Sequence, residues 1–162
     1  MHDDPYVTNQ LGLSSGTGIT VAPTADGERL YVYGQDQSDE SELDVTDLTS
    51  FVLSNVGTVT PAPIASSYPL DIRADAFGRI FGLGPDGTLV QIDRETAKLL
   101  AQDQTAFAPS GGASWALLTW NDDLYFFSEG AVSQYDLSTK RVTPKGDVGF
   151  VVVGASAAPC IH

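Results

Sequence analysis

The chain has 162 residues, 42% hydrophobic and 18% charged, with 21 acidic side chains against 8 basic ones and a net charge of -13. Such length and apolar content support one well-packed domain, while the acidic surplus repels phosphate backbones and anionic headgroups and argues against nucleic-acid or membrane-surface binding. No run of about 18 apolar residues exists to cross a bilayer as a helix, and the single cysteine, Cys160, offers no internal disulfide.

Residues 1–17 read as an N-terminal strand, Pro5-Tyr-Val-Thr-Asn9, followed by a linker. Met1-His-Asp-Asp-Pro5 lacks the basic region and apolar core of a signal peptide. Two readings remain, a cytoplasmic protein or one whose leader is absent from this sequence, and the low Lys content with Ser, Thr and Gly richness favours an extracellular or cell-envelope location. Ser14-Ser-Gly-Thr-Gly18 is glycine-rich without the Lys of a phosphate loop.

From Gly18 onward one unit recurs three times, over residues 18–60, 61–110 and 111–150. Its first strand is Gly18 to Ala22, Leu70 to Ala74 and Trp115 to Thr119, closed by the turns Ala25-Asp-Gly27, Ala76-Phe-Gly78 and Asn121-Asp-Asp123. Gly and Asp suit such turns, one by its access to positive φ and the other by capping backbone amides. The second strand is a continuous apolar run, Leu30 to Tyr33, Ile80 to Leu83 and Leu124 to Phe127, as fits a strand covered on both faces.

The third strand alternates and ends at Asp47, Asp93 and Asp136, anchors 46 and 43 residues apart. Ser50, Thr96 and Thr139 follow three residues later, so each Asp can accept bonds from its own turn, and recurrence of the motif points to structure rather than catalysis. Fourth strands fall at Phe51 to Ser54, Lys98 to Ala101 and Arg141 to Pro144, with Lys and Pro that blunt an outer edge. Val151 to Ala155 then matches the first strand of a further unit and serves as a closing strand, leaving 156–162 as a tail.

Short strands at this period, with no helical segment between them, are the signature of a β-propeller blade. The predicted fold is all-β: three four-stranded propeller-type blades over residues 18–155, plus an extra strand at each end, forming a partial propeller or half-ring. Gly18-Ile-Thr-Val-Ala-Pro-Thr-Ala-Asp-Gly-Glu-Arg-Leu-Tyr-Val-Tyr33 resembles the strand, Pro-x-x-x-Gly turn and strand of YVTN-type propeller repeats, and Pro5 to Asn9 contains that tetrapeptide. Gly78-Arg-Ile-Phe-Gly82 and Tyr135-Asp-Leu-Ser-Thr139 resemble blades of secreted bacterial propeller lipoproteins. These resemblances imply a fold; propellers serve as binding platforms, scaffolds and occasionally enzymes.

Three blades fall short of the usual ring of about four to eight. An open arc leaves an apolar blade face at each end, which predicts a protein partner: a second copy, or the remainder of a larger propeller. Within the first unit Gly34 to Glu42 replaces a tight turn, and Asp36, Asp39, Glu40 and Glu42 could gather oxygen ligands for calcium, though in no EF-hand spacing.

Asp71, Arg73 and Thr119 are the polar positions of the innermost strands, suited to gripping a small polar ligand or to pairing among themselves and with neighbouring blades. Trp115 and Trp120, with Asp122 and Asp123 beyond, combine an aromatic face and a polar rim, the equipment for a sugar ring as well as for a core. His2 and His162 lie at the chain ends, where order is least expected, and no catalytic constellation is assigned. The leading expectation is a non-enzymatic extracellular or envelope binding and assembly module; the alternative is a carbohydrate-binding or glycan-processing propeller using Trp115 to Asp123.

Overall fold

A computed structural model describes residues 15–35, 40–50, 52–62, 70–107, 109, 114–121 and 123–156. They form twelve strands: β1 (Ser15–Thr24), β2 (Gly27–Gln35), β3 (Ser41–Asp47), β4 (Leu53–Thr58), β5 (Asp71–Ala74), β6 (Ile80–Leu83), β7 (Thr88–Ile92), β8 (Leu99–Gln104), β9 (Trp115–Trp120), β10 (Asp123–Ser128), β11 (Ala131–Asp136) and β12 (Arg141–Asp147). Each consecutive set of four makes one antiparallel meander, β1-β2-β3-β4, β5-β6-β7-β8 and β9-β10-β11-β12. The chain is therefore all-β, built of three four-stranded propeller-type blades.

The turns follow from their residues. Asp47 Oδ1 accepts the amides of Thr49 and Ser50 at 2.8 and 2.7 Å; Asp93 Oδ1 accepts those of Glu95 and Thr96 at 3.0 and 2.8 Å. Asp136 Oδ1 accepts those of Ser138 and Thr139 at 2.8 and 3.0 Å. In the third copy the Ser138 hydroxyl donates to the carboxylate at 2.6 Å and outweighs the contribution of the Thr139 side chain. These bonds stabilise the ionised form: the Ser138 hydroxyl and two amides bring Asp136 down to about 2. Asp47 and Asp93 are lowered in the same way, chiefly by the hydroxyls of Ser50 and Thr96.

Directly opposed residues on neighbouring strands share a face, so each blade has a back face toward the preceding blade and a forward face toward the next. Tyr31, Tyr33 and Leu43 on the forward face of the first blade pack with Ile72, Ile80, Val90 and Ile92 on the back of the second. Phe81, Leu83 and Leu89 on the forward face of the second blade, with Phe107 of the following linker, pack with Leu117, Leu124, Phe126 and Tyr135 of the third. Every residue of β6 is buried, which explains its unbroken apolar sequence. The innermost strands make the joints: β5 lies against β1 on one side and β9 on the other.

Gly18 is required at the first joint. A Cβ built on it would stand 2.4 Å from the Leu70 carbonyl oxygen and 3.0 Å from the Ile72 nitrogen, both backbone atoms of the neighbouring blade.

The linkers repeat as faithfully as the blades. The residue after each outer strand donates its amide to the residue around the start of the third strand: Val59 to Ser41 at 2.7 Å, Thr105 to Gly87 at 3.0 Å, Val148 to Gly130 at 2.9 Å. After Val148, the sequence-predicted strand Val151 to Ala155 runs as irregular chain rather than a strand. An inner strand takes its ladder from the second strand of its own blade, and the described residues hold none beyond it. Instead Val152 donates to the Glu129 carbonyl at 2.7 Å. The predicted strand Pro5 to Asn9 lies outside the described residues.

Candidate functional site

The inner-strand cluster is assembled from all three blades. Asp71 Oδ1 pairs with Arg73 Nη1 at 2.8 Å, and Asp71 Oδ2 accepts the Leu117 amide of the third blade at 2.7 Å. Arg73 also donates from Nη1 to the Ile19 carbonyl of the first blade at 3.0 Å, and from Nε to the Ala155 carbonyl at 2.7 Å. Burial raises the Asp71 carboxyl, and Arg73 and the Leu117 amide pull it back only in part. Thr119 Oγ1 donates to the Ala74 carbonyl at 2.7 Å, while the Ala74 amide donates to Thr20 Oγ1 at 2.8 Å. Trp115, half-buried, donates from Nε1 to the Leu83 carbonyl at 3.3 Å. Asp71, Arg73, Trp115 and Thr119 are thus brought together as ties between blades, with their polar atoms bonded to the protein itself.

Trp120 and Asp123 form a separate group. They face each other across the β9–β10 ladder, and Trp120 is 56% exposed. Gln134 Nε2 donates to Asp123 Oδ2 at 2.5 Å. Asp123 also lines an open cleft of about 440 Å³ with Phe77, Arg79, Asp136, Leu137 and Ser138. One wall is Phe77, exposed on the β5–β6 turn, with the Arg79 guanidinium 5.3 Å from its ring centroid. Arg79 is also paired with Asp75. The opposite wall is the Asp136 turn of the next blade. The cleft therefore offers one aromatic face, a tethered cation and two carboxylates, a combination suited to a small polar ligand with one apolar side. Asp122 lies outside the described residues.

Of the acidic loop, Asp36 and Asp39 lie outside the described residues; Glu40 is exposed just before β3, and Glu42 is half-buried within it. No group of three His, Cys, Asp or Glu side chains converges among the described residues. A different carboxylate is withdrawn from water: Asp44 on β3 is 3% exposed, accepts Asn55 Nδ2 at 2.9 Å, and is raised by burial against the pull of that bond.

The ends of the arc carry what the sequence reading named only in general terms. Thr105 and Val148 are equivalent linker positions, so Phe107 and Phe150, each two residues on, are equivalent side chains. Phe107 is 7% exposed, with its ring centroid 5.1 Å from that of Phe126 in the next blade; Phe150 is 68% exposed. The same ladder equivalence maps Leu83 and Leu89 onto Phe127 and Val132, Phe81 onto Tyr125, and Asp71 and Arg73 onto Ala116 and Leu118. At the other end Ile72 and Leu117, the inner-strand anchors of the second and third back faces, are both 0% exposed, whereas their equivalent Ile19 is 51% exposed. The matching offsets of Phe107 and Phe150 from the Asp anchors are the signal that exposes this pattern in the sequence. The cleft has no comparable signal, because its walls come from turns of different repeats.

No family model and no curated protein matches the chain. Solved structures do. A europium-containing methanol dehydrogenase aligns over 83% of this chain and 26% of its own length, at 19% identity and TM-score 0.46. A provisional 6-phosphogluconolactonase from Bacteroides uniformis aligns over 86% and 45%, at 14% identity and TM-score 0.48. The SapL1 lectin, solved with alpha methyl fucoside, aligns over 88% and 50%, at 12% identity and TM-score 0.48. The chain thus spans between about a quarter and a half of the length of these structures. They are propeller-type folds.

Proposed function

We propose that the chain is a non-enzymatic binding and assembly module of extracellular or envelope location, whose terminal blade face receives a further blade. The observation that carries this reading is the contrast between Phe107 and Phe150: the same linker side chain is buried at 7% where a blade follows and exposed at 68% where none follows among the described residues. Around Phe150 the forward face presents Leu118, Tyr125, Phe127 and Val132, the counterparts of residues that make the joint between the second and third blades. These four are only partly exposed, and an apolar patch left partly open to water marks an interaction site in a folded protein.

The test is binding of a neutral, environment-sensitive apolar dye at nanomolar chain concentration. The wild type is expected to bind it, Phe150→Ser to lose most of the signal, and Phe77→Ser, exposed but outside this face, to keep it. Unchanged dye binding in Phe150→Ser overturns the reading.

A second reading, glycan binding, is favoured by the exposure of Trp120 beside Asp123 and by the aromatic and polar cleft that Asp123 lines. An indole face with adjoining carboxylate and amide groups matches the alternating apolar and hydroxyl surfaces of a sugar ring.

A further inference from the structure

The two joints between blades are built from equivalent turns but not from the same side chains. At the first, Arg94 follows the Asp93 anchor and reaches back to the preceding blade, donating from Nη1 to the Pro23 carbonyl at 2.5 Å. The same nitrogen donates to the Gly78 carbonyl of its own blade at 3.4 Å, and a Cβ on Gly78 would collide with it. At the second joint the residue after the Asp136 anchor is Leu137, which packs against the core instead. Counted along the paired inner strands, the counterpart of Pro23 is Ala76, next to Phe77. The open cleft of about 440 Å³ between Phe77 and the Asp136 turn thus lies where the first joint holds the Arg94 guanidinium.

The third blade has also changed charge around that place. Ile80 and Leu124 are equivalent ladder positions, so Arg79 and Asp123, each one residue earlier, correspond. On the second blade Arg79, Asp93, Arg94 and Glu95 carry charges that cancel; their counterparts Asp123, Asp136, Leu137 and Ser138 carry two negative charges and no positive one. The turn bonds keep Asp136 ionised. Across the cleft Arg79 does not reverse this balance, because it is paired with Asp75, whose side chain is 4% exposed. The first joint accommodates Arg94 although Arg29, the counterpart of Arg79, also acts on the neighbouring Tyr31.

The geometry points to a guanidinium site: the cleft between the second and third blades takes an alkylguanidinium ligand, an arginine side chain of another polypeptide or a free guanidino compound. A planar guanidinium presents several N–H donors at once to the Asp123 and Asp136 carboxylates, which an ammonium cannot match, and its flat face suits the exposed Phe77 ring. The site stands apart from the assembly reading, and it differs from the glycan reading in requiring a cation.

The experiment is an NMR titration with N-acetyl-arginine methylamide, which carries the cation without a carboxylate. Saturable shifts are expected, with none from the citrulline counterpart, which has nearly the same shape and no charge. Leu137→Arg installs the first joint's own arginine and should abolish binding, whereas Leu48→Arg, the same change in the corresponding turn of the first blade, should leave it unchanged. Asp123→Asn should weaken binding by at least about tenfold. A blocked, otherwise uncharged peptide with one arginine separates the two sources: tighter binding than the single residue assigns a polypeptide ligand, and equal or weaker binding a free compound.

A wild type without saturable shifts overturns the inference, as does equal binding of the citrulline counterpart. Binding that persists in a folded Leu137→Arg overturns it too; if that variant does not fold, Asp123→Asn decides, and wild-type affinity there is the overturning result. A cleft that takes a neutral saccharide and not the arginine probe belongs to the glycan reading and overturns this one.

Discussion

Replacing Arg73 with Leu, the residue its counterpart Leu118 already is, should destabilise the chain sharply, and replacing Asp71 with Ala at the same time should restore much of the loss. The Asp71 and Arg73 side chains are 19% and 17% exposed. Removing one partner of a fully buried pair costs about 3–5 kcal/mol because a charge is left stranded; this degree of exposure trims the figure to about 2–4 kcal/mol. The Ile19 and Ala155 carbonyls lose their donor as well. In the double variant no charge is stranded; the carbonyl loss is common to both variants, and the cost particular to the double is the Leu117 amide without its acceptor, about 1–3 kcal/mol. For a chain of this size each kcal/mol shifts Tm by about 2–4 °C, so thermal and urea unfolding resolve the two.

The pH dependence gives a second handle on the same pair. Burial already raises Asp71 above its ordinary value, and loss of Arg73 raises it further. A carboxyl whose folded value lies above its unfolded one penalises the fold at neutral pH, and the penalty fades as pH falls and the native state takes up the proton. The Arg73→Leu deficit should therefore shrink toward acid pH, while that of the double variant should not shrink by this route. A single variant no less stable than the double, or a deficit that stays constant with pH, would refute the account of Asp71 as a buried charge held by Arg73.

Gly18→Ala should force the first two blades apart, since the added carbon meets backbone at 2.4 Å; the expected cost is about 1–3 kcal/mol in urea unfolding. Gly154→Ala, with nothing within 4 Å of the added carbon, is the control, and equal stability of the two variants would sink the argument for a tight joint. For the glycan reading, a glycan array should show saturable binding that is lost in Trp120→Ala while thermal unfolding is retained. Binding that is indifferent to Trp120 removes that residue from the site.

The blades were legible because local chemistry repeats. The apolar run Ile80 to Leu83 announces a strand covered on both sides, and Asp93 with Thr96 announces the turn that ends β7. Outer strands were placed less well: Phe51 to Ser54 was expected where β4 covers Leu53–Thr58. Such strands are half exposed and carry no apolar alternation to fix their bounds. Val151 to Ala155 has the composition of an inner strand, but composition cannot provide the ladder partner on which a strand depends. At the candidate sites, Asp71 and Arg73 were recognisable as polar residues in an apolar strand. Their bonds to Ile19, Leu117 and Ala155 span three parts of the chain and follow only from how the blades stack. The cleft was illegible for the same reason.

Exposure of a single hydrophobic residue is ordinary on a protein surface, as at Leu100 and Val52. Ile19 and Phe150 differ because the chain contains their own controls, equivalent residues in equivalent blades that are buried as soon as a neighbouring blade is present. The acidic surplus bears on the same ends. With a net charge of -13 per copy, long-range repulsion opposes assembly and is screened beyond about 8 Å at physiological ionic strength, whereas the forward face of the third blade has exchanged its ionic tie for Ala116 and Leu118. An apolar contact at that end would be insensitive to salt, whereas repulsion between copies is electrostatic and sensitive to it.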